Sequence, residues 1–366
     1  MKIILIGGQC IPGIGGIESY VLNMAKSLTK QGDDVTIICC DRKAYTKVVD
    51  GIEIVHIVCP RSNIIALPLL FIKALRYIIK NRKHIDVINY QSIFFAFISG
   101  WIAKLCGCNV CYTIHSLAED NPKHSKIMKF LMKATAFISI YCCGKNIITV
   151  SNSKAKEIKT RYGKTCTVIP CGVNMPTEFS ETNIIERFGI NRGYYYLTIG
   201  RMDPIKNLDI LIQAYIQRDN PKFQLVLAGD YSNSHGAYLR ELAKDNKNII
   251  FVGSVMGNDK DTLLKNSFAN CLLSSSEGMP LSLLEAMSYG KPCIVSDIPA
   301  IREILRDDWG MWCAVRDIDS ATNQMKIAED NYNDIVDKST NMATHISNHH
   351  TWEMVASVYR SYIQNI

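Results

Sequence analysis

The strongest constraint on this chain is an alternation that runs along its whole length. Apolar runs of four to six residues are separated by longer segments with helical spacing. The first half has such runs at 2–7, 35–40, 53–57, 86–89, 110–114, 147–150 and 166–169. The second half has them at 194–199, 223–228, 249–252, 270–273 and 292–295. Strands spaced by helices must pair in parallel, because a tight turn can only join antiparallel neighbours. The expected class is therefore α/β with doubly wound parallel sheets. A polar, weakly periodic stretch at 174–192 reads as a linker, and 366 residues suffice for two ordinary domains. The expected division is 1–175, then 176–350, then a closing helix in 351–366 that carries Trp352, Met354, Val355, Val358, Tyr359 and Tyr362. Two such domains place a ligand where their strand ends face each other across a cleft.

Met1-Lys2 runs straight into Ile-Ile-Leu-Ile-Gly-Gly, a buried first strand and not a secretion signal. The longest apolar stretches, near 64–79 and 127–143, are broken by Lys73, Arg76 and Lys133. Neither reaches the roughly 18–20 uninterrupted residues of a membrane span, so a cytoplasmic protein is expected. Most of the fourteen cysteines, among them Cys39, Cys40, Cys142, Cys143 and Cys271, sit in apolar strand-like runs as small hydrophobes. Cys106, Cys108 and Cys111 are dense enough for a metal but lack a second ligand pair at zinc-ribbon spacing, so no metal is expected.

Charge is divided unevenly. Residues 1–175 hold 23 Lys and Arg against 10 Asp and Glu, whereas 176–366 hold 18 against 24. The first half, at +13, is expected to face something anionic. Lys73, Arg76, Lys80, Arg82 and Lys83 lie among Ile, Leu and Phe, as in a basic amphipathic helix resting on an anionic membrane. A core helix with a solvated basic face fits the same spacing. No nucleic-acid motif accompanies the charge.

Chemistry concentrates in Ser-Ser-Ser-Glu-Gly-Met-Pro-Leu-Ser-Leu-Leu-Glu-Ala-Met, residues 274–287. Leu272 and Leu273 end a strand, Pro280 suits a first helical position, and Gly290 and Pro292 stop the helix after about ten residues. Glu277 then lies in the strand-to-helix loop and Glu285 inside the helix. The N–H groups of 278–281 and the positive helix end suit an anion. Carboxylates are acceptor-only, so two of them suit two diols, such as a sugar and a ribose with a diphosphate between.

With Gly278, Met279, Pro280 and Leu281 inside it and Glu-Ala-Met-Ser-Tyr-Gly-Lys-Pro after it, this pattern resembles the E-x7-E motif of retaining glycosyltransferases of family 4. Those enzymes have the GT-B fold, two Rossmann-like domains facing each other across a cleft. The resemblance implies that Glu277 holds the hydroxyls of the donor sugar and Glu285 the ribose of the nucleotide. It also implies that the closing helix crosses back to the first domain, the one on the acceptor side.

Other segments follow in the family's order. After the first strand comes Gly7-Gly8-Gln9-Cys10-Ile11-Pro12-Gly13-Ile14-Gly15-Gly16-Ile17-Glu18, with a helix expected near Ser19. Glycines there let backbone N–H groups approach a phosphate. The run looks like the family's G-G-x-E segment, with Gly15 and Gly16 facing donor phosphates and acceptor. A dinucleotide fingerprint is the rival, with Asp41 for a ribose, but Glu18 stands where its third glycine belongs. Arg201 and Lys206, five apart after a strand, can both enter one cleft and stabilise a departing diphosphate without a metal. They match the Arg and Lys pair of the family. His115, at the end of strand 110–114, matches a His that contacts the donor sugar near the reacting carbon, as a positioning group. Ser151, Ser153 and Lys154 resemble the V-S-x-x segment. Asn174 stands where the family usually has Asp in N-G-V-D. Asp230 ends a Leu-Ala-Gly-Asp turn, and Gly253, Ser254 and Val255 would line the base pocket through their backbone.

The resemblance implies a metal-independent transferase with no cofactor, passing a sugar from a nucleotide sugar to an acceptor with retention. Leaving-group departure and attack would share one face, the diphosphate taking the proton. Together with the +13 balance, it points to a lipid-linked saccharide acceptor at the inner membrane face and to a surface-polysaccharide enzyme, some rhamnosyltransferases having a similar opening. A nucleotide-sugar epimerase of the same fold and an NAD-dependent oxidoreductase are the alternatives.

Overall fold

The computed structural model describes residues 1–9, 11, 13, 15–60, 63–93, 96–117, 125–144 and 146–366. Cys10, Pro12 and Ile14 of the glycine-rich run lie outside them, as do the side chains of Cys142 and Cys143. The chain divides into two compact units. One is Met1–Gly172 together with Trp352–Ile366, and the other is Val173–Thr351.

The first unit carries eight strands: β1 (Lys2–Gln9), β2 (Asp34–Asp41), β3 (Tyr45–Val49), β4 (Ile52–Val58), β5 (Val87–Tyr90), β6 (Asn109–Ile114), β7 (Ile147–Thr149) and β8 (Thr167–Val168). Their order is β3-β4-β2-β1-β5-β6-β7-β8, all pairs being parallel except β3 with β4. Helices α1 (Gly16–Lys30), α2 (Asn63–Asn81), α3 (Ala96–Leu105), α4 (Lys126–Cys143) and α5 (Asn152–Tyr162) connect them. Central strands are buried on both faces, as Ile3 to Ile6 are, which explains their unbroken apolar runs. Strand β3 departs from the expected pattern. It forms a hairpin with β4 through Asp50 and Gly51, both at positive φ, the Asp-Gly pair that a two-residue turn favours.

The second unit has a six-stranded sheet of β9 (Tyr195–Ile199), β10 (Gln224–Ala228), β11 (Ile249–Gly253), β12 (Ala269–Leu272), β13 (Cys293–Ser296) and β14 (Gly310–Cys313). Its order is β11-β10-β9-β12-β13-β14, parallel throughout. Four-residue β14 is a second strand that apolar runs do not disclose. The helices here are α6 (Ile184–Arg187), α7 (Leu208–Arg218), α8 (Ser234–Ala243), α9 (Gly257–Asn266), α10 (Leu281–Ser288), α11 (Pro299–Arg302), α12 (Ile318–Asp330) and α13 (Tyr332–His349). Short α6 falls inside the stretch read as linker.

The last helix, α14 (Trp352–Ile363), belongs to the first unit and packs on α1. The Tyr359 hydroxyl accepts from buried Asn89 Nδ2 at 2.8 Å. Arg360 Nε donates to Asp33 at 2.9 Å, and the N-terminal ammonium binds the other oxygen of the same carboxylate at 2.8 Å. Trp352 lies against Gly172, where any Cβ would come within 2.8 Å of it.

Several expectations need correction. The first helix starts at Gly16, not near Ser19, because Gly15 already provides its N-cap. Cys142 and Cys143 end α4 and are not in a strand. Helix α10 has eight residues, not about ten, and Pro280 is its N-cap, with extended φ −74° and ψ 109°, one residue before the first helical position. Gly290 at φ +62° does terminate it: Gly290 N–H donates to Met287 O and Lys291 N–H to Ala286 O.

Candidate active site

In the second unit the strand order reverses direction between β9 and β12, the first strand having neighbours that lead opposite ways. Ligands of open parallel sheets bind outside the carboxyl ends of the strands at such a switch point. Two loops leave the sheet there. One follows β9 and contains Gly200, Arg201 and Lys206; the other follows β12 and contains Glu277 through Pro280.

Backbone and side chains tie these loops together. Ser275 N–H donates to Ile205 O at 2.8 Å. Asn207 is fully buried with φ 48°, a left-handed conformation that Asn tolerates better than most residues. Its Nδ2 donates to Leu273 O and Ser275 Oγ, both at 2.7 Å, while its Oδ1 accepts from Arg316 at 3.0 Å. With the loops so fixed, Lys206 Nζ reaches Glu277 Oε1 at 2.6 Å, and both side chains are largely buried. A cation for phosphate oxygens and an acceptor for hydroxyls thus stand side by side.

Arg201 lines the same depression as Lys206, with Gly200, Thr198 and Leu272. Its side chain is 70% exposed, with the guanidinium 3.7 Å from Asp203, and can swing toward an anion. Glycines stand at the ends of three adjacent strands, Gly200 after β9, Gly229 after β10 and Gly253 closing β11. Gly200 N–H donates to Ala228 O, Gly229 N–H donates to Gly253 O, and a Cβ on Gly229 would lie 1.9 Å from Gly200 O. Gly253, at φ +79°, leads into exposed Ser254 and half-buried Val255.

Past Gly278, Met279 and Pro280, α10 opens with Leu281; the first backbone bond at this end runs from Leu283 N–H to Pro280 O. Glu285, inside α10, takes a different cation: Lys260 Nζ of α9 donates to its Oε1 at 2.6 Å. The two glutamates therefore serve separate positions, one at the switch point and one beside α9. Asn174 is exposed at the start of this unit. Asp230, exposed, accepts from Ser232 N–H, and Asp317 caps α12 by accepting from Ser320 N–H, both turn-making roles.

The first unit contributes its own cluster. His115 directly follows β6; its Nε2 lies 2.9 Å from Gln91 Oε1, and its ring meets Tyr20 of α1 edge-on at 4.6 Å. Burial brings the imidazole from 6.5 down to about 4, so the ring is neutral near pH 7. Gln91 follows β5, across the switch point from β1. Gly15 is adapted to Glu18, whose carboxylate would sit 2.1 Å from a Cβ at that position. Glu18 thereby fills the place where the dinucleotide pattern needs a glycine. Around Gly16 there is open space. Ser151 caps α5 by accepting from Lys154 N–H, and Asp41 binds Arg42 N–H and Tyr45 Oη.

Sequence patterning did not single out Asn207, Arg316, Lys260, Gln91 or Tyr20. Asn207 had a local signal, an Asn directly before a helical run. The Lys260–Glu285 pair had none, because only the tertiary fold joins α9 to α10.

Similarity to known proteins bears on this geometry. Residues 14–175 match the family described as Glycosyltransferase Family 4, and residues 180–345 match Glycosyl transferases group 1. The UDP-Gal:alpha-D-GlcNAc-diphosphoundecaprenol alpha-1,3-galactosyltransferase of Escherichia coli is 26% identical over 92% of this chain and 91% of its own length. The GDP-mannose:cellobiosyl-diphosphopolyprenol alpha-mannosyltransferase of Komagataeibacter xylinus is 24% identical over 84% and 78%. Among solved structures, sucrose-phosphate synthase from Thermosynechococcus elongatus aligns over the whole of both chains with a TM-score of 0.82 at 17% identity.

Proposed function

The chain is a glycosyltransferase of the GT-B fold, family 4 in its first part and group 1 in its second, and from that premise we propose a retaining, metal-independent transfer to a lipid-linked saccharide. The observation that carries the reading is the Lys206–Glu277 pair, 2.6 Å apart at the switch point of the second sheet.

In this reading Glu277 accepts from the donor sugar's hydroxyls and Glu285 from the ribose. Lys206 and Arg201 bind the diphosphate, helped by the N-terminal end of α10 at Gly278 to Leu281. The bond from the anomeric carbon to phosphate oxygen breaks while the acceptor oxygen attacks the same face. The acceptor's proton passes to the departing phosphate oxygen. Negative charge builds on that oxygen, and fixed cations lower the barrier because they need no reorganisation. His115, neutral, positions the sugar by hydrogen bonding. Gly15 and Gly16 approach phosphates and acceptor; Gly253, Ser254 and Val255 face the base; Asn174 contacts the nucleotide sugar.

A lipid-linked acceptor is supported by the diphosphoundecaprenol and diphosphopolyprenol compounds named for the two relatives. The +13 charge of residues 1–175 supports work at an anionic, cytoplasmic membrane face. Calorimetric titration of UDP, GDP, dTDP and NAD, with chelator present, tests the site. One nucleoside diphosphate should bind at micromolar Kd and lose at least ~10-fold affinity in Arg201→Ala. Binding of NAD alone would overturn the reading.

A further inference from the structure

The chain turns sharply at Gly257, φ 53°, where α9 begins a few residues after β11. The first turn of this helix is Gly257-Asn258-Asp259-Lys260, with Asp261 next. Three of these side chains bind elsewhere. Asn258 Nδ2 donates to Ser180 O at 3.1 Å, Asp259 accepts from Arg187 at 3.5 Å, and Asp261 accepts from the hydroxyl of Tyr289. Lys260 turns to α10, where its Nζ donates to Glu285 Oε1 at 2.6 Å, the side chains being 26% and 22% exposed. Helix stability does not account for a lysine at this position. The positive end of a helix favours acids such as Asp259 in its first turn and disfavours a cation. Nor does the ion pair account for it, because desolvation of both charges offsets much of their attraction.

The pair has bonding capacity left over. An ammonium offers three N–H donors and a carboxylate about four acceptor positions. Among the described residues, Lys260 Nζ donates to Glu285 alone, and Glu285 Oε2 accepts from no side chain. Donor and acceptor thus lie side by side and half open to solvent. A vicinal diol is their complement, since each hydroxyl has one hydrogen to give and lone pairs to receive. We propose that Lys260 and Glu285 together read the 2′- and 3′-hydroxyls of the nucleoside, so that the donor is a ribonucleoside diphosphate sugar and not a 2′-deoxyribonucleoside one. This selection rests on the reading above that Glu285 faces the ribose, and adds to it a second residue and a substrate class. One hydroxyl donates to Oε2 while its neighbour accepts from the Lys260 ammonium. A deoxyribose removes one of these contacts and leaves a charged group without its partner. The lysine also offsets the repulsion between Glu285 and the diphosphate of the same ligand.

The test is calorimetric titration of UDP, GDP, ADP and CDP, each against its 2′-deoxy counterpart, with dTDP alongside. For the base that binds, wild type should favour the ribonucleotide at least ~10-fold. Lys260→Met keeps the aliphatic stem without the ammonium. It should shrink that preference to ~3-fold or less, by weakening the ribonucleotide more than the deoxy form. Lys260→Arg, which retains N–H donors, should hold a preference above that of Lys260→Met. Wild-type thermal midpoints in both variants show that they fold. Equal wild-type affinity for ribo and deoxy forms, or tight binding of dTDP alone, overturns the inference without any variant. So does a Lys260→Met protein that weakens both forms alike, the mark of a charge that reads no hydroxyl. If both forms bind equally and both lose affinity in Arg201→Ala, the hydroxyl selection falls and the transferase site stands. If no nucleoside diphosphate binds, the transferase reading falls and takes the selection with it.

Discussion

At the scale of single residues, the two glutamates should separate chemistry from binding. On the proposed reading Glu277→Ala loses the acceptor for the sugar's hydroxyls and should lower kcat roughly a hundredfold, with nucleoside diphosphate affinity nearly unchanged. Glu285→Ala should instead weaken nucleotide binding by about tenfold, read by calorimetry, because its carboxylate sits apart, against Lys260. His115 gives a prediction in pH. Its folded pKa, about 4, lies below the ordinary 6.5, so the unfolded chain takes up the proton first. Stability is therefore lost as pH falls from about 6.5 toward about 4. His115→Gln should show a shallower fall of thermal midpoint with pH over that window. These positions could be named from sequence because local motifs carry them. Their pairings could not: Lys206 with Glu277, Lys260 with Glu285 and Gln91 with His115 are joined only by the tertiary fold.

Among elements, the strand ends of β9 and β10 carry the tightest constraint. A Cβ on Gly229 would meet Gly200 O, a backbone atom that cannot rotate away. Gly229→Ala should cost about 1–3 kcal/mol in urea unfolding and lower nucleotide affinity with it. Helices α7 and α12 are joined by Arg218, Asn220 and Tyr196, which all meet the carboxylate of Glu329. Glu329→Ala would strand a mostly buried guanidinium and should destabilise by about 3–5 kcal/mol. Elements with strong periodicity were legible in the sequence, and the two missed strands were not. Strand β14 has only four residues, Gly310–Cys313, too few to show a pattern. Strand β3 did have a signal, Asp50-Gly51 between β-branched residues, but its own residues are mostly exposed and so lack an apolar run.

For the whole molecule, the second unit is an insertion in the first. Val173 and Thr351 form a bridge, so its two ends adjoin. A fragment of residues 173–351 should fold alone, with one cooperative thermal transition. The first unit needs both chain ends: Asn89, Asp33 and Gly172 all wait for α14. That dependence has a consequence in time. Synthesis proceeds at about 5–20 residues per second, so residues 173–351 take on the order of 10–40 seconds to emerge after residue 172. For that interval the earlier sheet stands without its final helix, the surface meant for Trp352 and Tyr359 open to the ribosome's surroundings. The part made first is the part finished last.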